Sequence, residues 1–483
     1  MAETLVSLAA DFPAPDEAAW RALVAKTLGG ADVETLVSHT DEGLPIEPLY
    51  AAANTAPALA LGERDADRPW DVRCATAHPD PARANADILA DLQGGAASAL
   101  LRIDPTGAAG TAIGSPEGLA RAVDGVILEL APLALDAGFL GPKAADWLAV
   151  AAKSAPSALL CLHMDPLSAL ARAGTSPGPI ESHLISAATV GARLADTYPK
   201  ASLMLASGQV VHEAGGGEAQ ELGFMAASAA AYARALIRAG FSADAAFARI
   251  TLGLAVDSDY FVSIAKLRAA RAIWARLTSA AGAPMPARIE ARSSRRMLTT
   301  LDPYTNMLRL TAAAFAGAVG GADALVIGCF TDAIGSPSAL ARRQSRNAQL
   351  VLMEEAALGR VADPSHGSGY LEALTDQLAR AGWAAFREIE AQGGIIAALA
   401  SGAPAAEAAQ TLAHRRAAIA ADDAKIIGVT VFRNADTTPA PTEAVNAAAL
   451  AVEAPSSRLP GPDTVVAPLT PIRLSAPFEG DAT

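Results

Sequence analysis

Cysteine is scarce in this sequence, and the spacing of the few cysteines argues against two classes of protein. The 483 residues contain three cysteines, Cys74, Cys161 and Cys329, which lie far apart and form no Cys-x-x-Cys pair. Three scattered cysteines cannot make the disulfide framework of a secreted domain, and a thiolate zinc site needs cysteines at closer spacing. We therefore expect a protein of a reducing compartment, the cytoplasm.

Aromatic residues and positive charge are also scarce. Aromatic side chains make up 5% of the sequence, and the abundance of Ala, Leu and Val favours helices packed on buried strands over a β-sandwich. The net charge is −14 and the pI is about 5.0. Since nucleic acids and anionic membranes bind concentrated cationic surfaces, neither is an expected partner. A few local arginines could still bind an anionic ligand such as an acyl-CoA.

Long apolar runs and a basic N-terminus are missing as well. No stretch approaches the roughly 20 apolar residues that a membrane-spanning helix needs. The first 20 residues contain four carboxylate side chains and neither Arg nor Lys. We therefore expect no secretory signal and no Arg-rich transit peptide at this end.

Between about residues 95 and 430, short apolar runs alternate with long Ala-rich helical stretches. Such runs are typical of strands buried on both faces of a parallel sheet. Eight alternations predict an α/β fold, a (β/α)8 TIM barrel, with a doubly wound open sheet as the alternative. The predicted strands are Ala97–Ile103, Gly125–Leu130, Ala158–Met164, Ser202–Ala206, Arg249–Val256, Ala287–Ser293, Ala324–Cys329 and a short one near Arg360–Ala362. The predicted helices include Trp20–Leu28, Glu218–Ala239, Tyr260–Ala280, Pro303–Val319 and Gly369–Gln392.

This pattern divides the chain into three parts. We assign residues 1–90 to an N-terminal extension that makes subunit contacts and residues 91–433 to the barrel. Residues 434–483 are rich in Pro, Ala and Thr and have weak periodicity. They are predicted to form an extended linker.

Polar residues cluster where predicted strands end, which is where a barrel of this kind carries its chemistry. Arg292, Arg295 and Arg296 could hold a phosphate or a carboxylate, and salt bridges explain them equally well. Gly215–Gly217 could cradle a phosphate at a helix N-terminus or simply form a turn. Taken alone, these residues leave the ligand unassigned.

Two further motifs favour structural readings. His212 and Glu213 resemble the start of a zinc motif, but no second His follows at the spacing that one helix face requires. We therefore expect no metal there. Arg342, Arg343 and Arg346 share one predicted helix with acidic residues nearby, so an exposed, ion-paired helix is expected.

Longer stretches resemble the methylmalonyl-CoA mutase family and follow its order from residue 41 to about 430. The stretches are Asp41–Tyr50, Arg68–Trp70, Ala265–Trp274, Leu298–Asn306, Arg343–Gln349, Val361–Pro364, Gly367–Tyr370, Glu372–Thr375, Glu388–Gly394 and Ile426–Val429. The resemblance implies a barrel that threads an acyl-CoA through its axis, closed at the top by a cobalamin domain. It also implies the interconversion of (R)-methylmalonyl-CoA and succinyl-CoA through radicals generated by adenosylcobalamin.

The sequence departs from the catalytic chains of that family at the positions that touch substrate and cofactor. Gln209 and Val210 stand where the family has Tyr and His, the latter donating to the thioester carbonyl of the substrate. Glu290 and Arg292 occupy the places of the cofactor-facing His and Gln. A valine side chain cannot donate a hydrogen bond, so the carbonyl donor is lost.

Further losses lie at neighbouring positions. Gly328 ends a segment that replaces a His-Thr-Asn set, and Ala75 replaces a Tyr that presses on the substrate. The Arg expected to pair with the substrate carboxylate has no clear counterpart between Ala171 and Ser182. The Asp-x-His-x-x-Gly motif that supplies the lower cobalamin ligand is also missing, and residues 434–483 resemble a linker that wraps onto a partner.

The resemblance, together with these departures, implies the small (β) subunit of a heterodimeric methylmalonyl-CoA mutase. Such a chain has no catalytic, cofactor-binding or metal-binding residues of its own and stabilises a catalytic α chain that holds adenosylcobalamin. One alternative is an active acyl-CoA mutase subunit completed by a separate cobalamin-binding chain. Another is a non-enzymatic protein that binds acyl-CoA or regulates another protein.

Overall fold

Eight parallel strands close into a barrel in the computed structural model, which describes residues 16–52, 59, 61–62, 65, 67–434 and 438–480. Each strand pairs with its neighbours in chain order, and the last pairs with the first. The strands are β1 Asp71–Thr76, β2 Ser98–Arg102, β3 Leu133–Asp136, β4 Leu160–Met164, β5 Ser202–Ser207, β6 Ile250–Val256, β7 Ile289–Ser293 and β8 Ala324–Val326. The predicted (β/α)8 barrel is confirmed.

Helices cover the outside of the barrel and bury their apolar faces against the strands. The α-helices are α1 Glu17–Thr27, α2 Pro81–Gln93, α3 Pro116–Ala122, α4 Gly141–Ala151, α5 Pro166–Ala173, α6 Ile180–Thr197, α7 Gln209–Glu213, α8 Glu218–Arg238, α9 Ala243–Phe247, α10 Tyr260–Ala280, α11 Thr305–Val319, α12 Ala339–Leu350, α13 Gly369–Ala391, α14 Ile395–Ser401, α15 Ala403–Ala420 and α16 Ala447–Leu450. Shorter helical turns cover Val33–Leu36, Gly138–Leu140, Val351–Glu355, Leu358–Arg360 and Ala476–Phe478. Among the described helices, none is both long and apolar enough to cross a membrane.

Most predicted elements are confirmed within a few residues, and two predicted strands are wrong. Residues 125–130 form a turn that precedes β3, and residues 358–360 form a helical turn. Strand β1 was missed and lies inside the predicted extension of residues 1–90, so the barrel reaches back to residue 71. Its sequence carries Asp71 and Arg73, which point to the barrel interior and break the apolar run on which the prediction depended.

The C-terminal segment makes a circuit around the mouth of its own barrel, at the carboxyl ends of the strands. It pairs with Ser336–Pro337 after β8 and with Thr175–Ser176 after β4. It then donates backbone hydrogen bonds to Glu213 after β5 and to Arg296 after β7. Arg433, at the start of the circuit, donates to the carbonyl oxygen of Glu479 at 2.9 Å and closes the ring.

This circuit bears on the expected linker. The sequence predicted a segment that wraps onto a partner subunit, whereas residues 438–480 contact their own barrel. These contacts also explain the weak periodicity of the C-terminal segment. Its backbone bonds to one loop after another, which requires neither a helix nor a long strand.

Candidate functional site

An ion-pair network crosses the barrel interior. Glu290 on β7 accepts hydrogen bonds from Arg73 of β1 at 2.5 Å and from Arg292 at 2.7 Å. Arg292 also donates to Asp136 at the end of β3, at 2.9 Å. Arg73 donates to Asp71 at 2.6 Å. The Glu290 side chain is fully buried, so β7 and β1, the two strands that flank β8, are joined through a charge that water does not reach. The Arg292–Asp136 pair continues the network to β3 on the opposite side of the barrel, where Asp136 is partly exposed.

The electrostatics keep this network ionised. Burial opposes the charged form of Glu290, but Arg292, His163 and Arg73 outweigh burial and hold the pKa of this carboxyl well below its usual range. Burial acts in the same way against Arg73 and Arg292, and their carboxylate partners raise both pKa values. A buried charge is tolerated when it is paired and hydrogen-bonded, which is the state of Glu290.

The remaining interior is filled by apolar side chains. Leu100, Ala134, Cys161 and Val326 pack together inside the barrel, and Ala75 packs against them. Together with the ion pairs, these side chains occupy the barrel axis, through which the resemblance implied that an acyl-CoA is threaded. The residues of this chain therefore do not fit a thioester passing through the axis.

His163 lies beside this network in a strained backbone conformation. Its φ is +45°, in the left-handed region that is uncommon for residues other than Gly. Its Nδ1 lies 3.9 Å from a Glu290 oxygen and has no hydrogen-bond partner among the described atoms. Burial lowers the pKa of His163 to about 4, and Glu290 only partly opposes this shift.

We expect His163→Asn to flatten the acid side of the stability profile. The pKa of His163 is lower in the folded chain than in the unfolded chain, so the unfolded chain takes up the proton first. The free energy of unfolding should therefore fall by up to about 3 kcal/mol between pH 6.5 and pH 4. Asparagine tolerates the positive φ and does not titrate.

Urea unfolding of the unmodified chain and of His163→Asn across this pH range gives the difference between their free energies of unfolding. The contributions of the other titrating groups cancel in this difference. An unchanged pH slope in the variant would contradict the assignment of a buried neutral imidazole.

The other substituted positions lie around the mouth. Val210 is 2% exposed on α7 and packs in the core, whereas Gln209 lines a mouth cavity of about 850 Å³ together with Arg292. Ala75 and Gly328 line a second mouth cavity of about 340 Å³, which Arg292 also lines. The Gly328 N–H donates to the Ser293 hydroxyl at 2.8 Å. The structure thus brings the substituted positions together at the mouth of the barrel. The Glu290 side chain is the exception, because it points into the barrel interior.

The predicted arginine cluster after β7 separates into different environments. Arg292 belongs to the axial network, and Arg296 donates to Glu218 at 3.1 Å and to Asp257 at 3.0 Å. Arg295 is exposed and donates to the carbonyl oxygen of Asp332. The salt-bridge reading therefore holds for Arg292 and Arg296.

The predicted glycine turn is occupied by a carboxylate of the chain itself. Both Glu42 oxygens accept from the Ala219 N–H, at 3.1 and 2.9 Å, so Glu42 caps the N-terminus of α8. A side chain on Gly217 would collide with this carboxylate. Burial, with the charge of Glu218, raises the pKa of Glu42 to about 7. A phosphate would have to displace Glu42.

His212 lies in a second buried network, and the residues around it explain why a cation is disfavoured. His212, Glu218 and Asp257 bring ligand atoms within 4.8 Å of one another. Arg296 already donates to both carboxylates, and the Lys266 ammonium lies 3.4 Å from His212 Nδ1. Burial and these cations hold the pKa of His212 well below its usual value. The protein supplies the positive charge that a metal would bring.

Helix α12 was expected to be exposed and ion-paired. The ion pairs are present, but the expected exposure of Arg342 and Arg346 is wrong. Arg342 and Arg346 are buried and both donate to Asp91 of α2. The acidic residues that follow in sequence are not their partners, because they lie beyond the end of this helix at Glu354 and Glu355.

The family-like stretch Ala265–Trp274 lies on α10, and its basic residues hold separate elements together. Lys266 donates to Glu221 of α8 at 2.5 Å. Arg268 donates to Glu372 at the start of α13 at 2.6 Å. Arg271 donates to Asp323, just before β8, at 3.0 Å. These matches therefore report on the scaffold of the barrel.

Sequence reasoning missed Arg73, Asp136 and His163 as members of the axial network. Asp71, Arg73 and Ala75 alternate at the period of a strand, and this spacing places their side chains on one face. That alternation was the available signal. Arg172, within the stretch that showed no clear arginine counterpart, lines the larger mouth cavity.

Fold and site together define a (β/α)8 barrel whose axis is closed by its own side chains. The model of the methylmalonyl-CoA mutase family matches residues 66–457. A methylmalonyl-CoA mutase small subunit of Streptomyces virginiae is 40% identical over 88% of this chain and 72% of its own length. The small subunit of Propionibacterium freudenreichii subsp. shermanii is 33% identical over 91% of this chain and 72% of its own length. A probable small subunit of Mycobacterium tuberculosis is 37% identical over 81% of this chain and 66% of its own length. The chain therefore belongs to the methylmalonyl-CoA mutase family, as a chain of the small-subunit type.

Proposed function

We propose that this chain is a non-catalytic subunit that stabilises a separate catalytic chain of an adenosylcobalamin-dependent methylmalonyl-CoA mutase in the cytoplasm. The observation that carries the proposal is the Glu290 carboxylate, buried between Arg73 and Arg292 across the barrel axis. A substrate thioester in this axis would have to displace paired charges, which is strongly unfavourable. The partner chain would bind both the acyl-CoA and the cofactor.

The residues at the mouth support the same proposal. Rearrangement of a methylmalonyl group needs a donor placed at the thioester carbonyl. Val210 offers no donor and is buried, and Glu290 is fixed inward by its ion pairs. These side chains do not fit adenosylcobalamin and substrate in reacting positions, so no catalytic step is assigned to this chain.

Co-expression with the catalytic chain of the same mutase tests the proposal. We expect a heteromer by size-exclusion chromatography with light scattering, and a melting temperature of the catalytic chain that rises on association. Mutase turnover should require the catalytic chain. As a matched variant, Gln209→Ala in this chain should leave kcat and KM of the complex unchanged.

Two results would count against the proposal. One is separate elution of the two chains with no change in melting temperature. The other is a large change in kcat caused by Gln209→Ala.

A further inference from the structure

Three guanidinium groups converge at the barrel mouth, in the wall shared by its two cavities. Arg102 ends β2, Arg292 lies near the end of β7 and Arg295 follows it in the next loop. All three line both the cavity of about 850 Å³ and the cavity of about 340 Å³. Like charges repel one another unless anions neutralise them. Arg292 is paired with Glu290 and Asp136, whereas Arg102 and Arg295 have no carboxylate within 4 Å among the described residues.

Their hydrogen-bond donors are incompletely used. Within the described part of the chain, the Arg102 side chain has no hydrogen bond and no ion pair closer than 4 Å. Arg292 is 7% exposed, and its Nη2 has no partner. Arg295 donates one side-chain bond, to the Asp332 carbonyl oxygen at 2.9 Å. A buried guanidinium nitrogen without an acceptor is costly, so this gap needs an explanation.

The nearby carboxylates Asp136, Asp332 and Asp104 already accept hydrogen bonds, and none of them is paired with Arg102. Asp136 accepts from Arg292 Nη1, and Asp332 accepts from the Cys329 N–H at 3.1 Å. The Asp104 carboxylate accepts from the Thr106 hydroxyl and the Ala109 N–H. Burial lowers the pKa of Arg102; Asp136 and Asp332 oppose this shift, and Arg292 and Arg295 add to it. An anion beside Arg102 would offset the burial and the neighbouring guanidinium groups.

We propose that Arg102, Arg292 and Arg295 form a binding site for a small oxyanion, a carboxylate or a phosphate group. Guanidinium groups recognise both through paired N–H donors. The site lies at the mouth, above the filled part of the axis, and shares Arg292 with the axial network. It uses arginines of this chain alone, so it does not depend on the proposed scaffold function. The larger cavity offers the ligand an apolar wall of Phe139, Leu140, Leu298 and Ile472. An anion carrying a short apolar body suits that wall.

Isothermal titration of the full chain in chloride-free buffer tests the site, with inorganic phosphate and succinate as separate probes. We expect saturable binding of at least one probe. Arg102→Gln should weaken it by at least about tenfold, because one charged hydrogen-bond donor is lost. Preference for phosphate or succinate identifies the oxyanion. Arg121→Gln on α3 is the matched control, since Arg121 is exposed and lies outside both cavities.

Circular dichroism melting curves verify that Arg102→Gln folds, and Arg295→Gln is a second variant at an exposed position. Absence of saturable binding of both probes to the unmodified chain would overturn the proposal. So would equal affinity in Arg102→Gln, Arg295→Gln and the unmodified chain. Either result leaves the heteromer test with the catalytic chain unaffected.

Discussion

Glu290→Ala is expected to lower the free energy of unfolding by about 3–5 kcal/mol, because removal of the shared carboxylate leaves two buried guanidinium groups only partly compensated. Arg73 and Arg292 both donate to this carboxylate. Arg73 would keep Asp71 as its acidic partner, and Arg292 would keep Asp136. The space between the two guanidinium groups would become a cavity. The loss should appear in chemical denaturation at neutral pH.

Two control variants separate charge from other effects. Glu390→Ala removes the partly exposed partner of the exposed Arg234, and we expect a loss of at most about 1 kcal/mol. Glu290→Gln preserves volume and one acceptor, so a loss close to that of Glu290→Ala would assign the effect to charge. A loss from Glu290→Ala no larger than that from Glu390→Ala would contradict an axial network that holds the barrel together.

Lys266→Met is the second substitution with a large expected effect, again about 3–5 kcal/mol. The Lys266 ammonium is almost fully buried and donates to Glu221 at 2.5 Å. Methionine retains most of the packing and removes the charge, which leaves the Glu221 carboxylate buried without its cation. Burial already raises the pKa of Glu221 despite Lys266.

The double variant Lys266→Met with Glu221→Gln should recover most of that loss. Glutamine retains an oxygen that can accept the Ala255 N–H, the bond that Glu221 accepts at 2.6 Å. A double-mutant cycle from urea unfolding gives the coupling free energy directly. Additive losses would show that Lys266 and Glu221 act independently, against the geometry.

The barrel could be predicted from the sequence because buried parallel strands leave a plain signal. Strand β6, Ile250–Val256, is apolar in almost every position and fully buried. Strand β1 was missed for the opposite reason, since Asp71 and Arg73 face an interior that is itself polar. The run at 125–130 has the composition of a strand but lies in a turn, and composition alone does not distinguish the two.

The site was predictable only in part. Resemblance identified Val210 and Glu290 as changed positions, because the comparison is made residue by residue. It did not show that Glu290 binds Arg73, since 217 residues separate them in sequence and closure of the barrel brings them together. The capping of α8 by Glu42 is long-range in the same way. Partners across a barrel follow from topology, which local pattern does not supply.

The filled axis also suits the proposed non-catalytic role, in which the fold of the family persists as a scaffold. Lys266, Arg268 and Arg271 lie in the most family-like stretch, and each bonds to a different element of the scaffold. Such contacts preserve the outer surface of the barrel. The interior positions do not make these outer contacts. Glu290 in the interior fills space and neutralises the charges of Arg73 and Arg292.

A mutase assay of the isolated chain with succinyl-CoA and saturating adenosylcobalamin tests the closed axis most directly. We predict no formation of methylmalonyl-CoA, because paired charges and apolar side chains fill the path. Turnover by this chain without a catalytic partner would contradict the account.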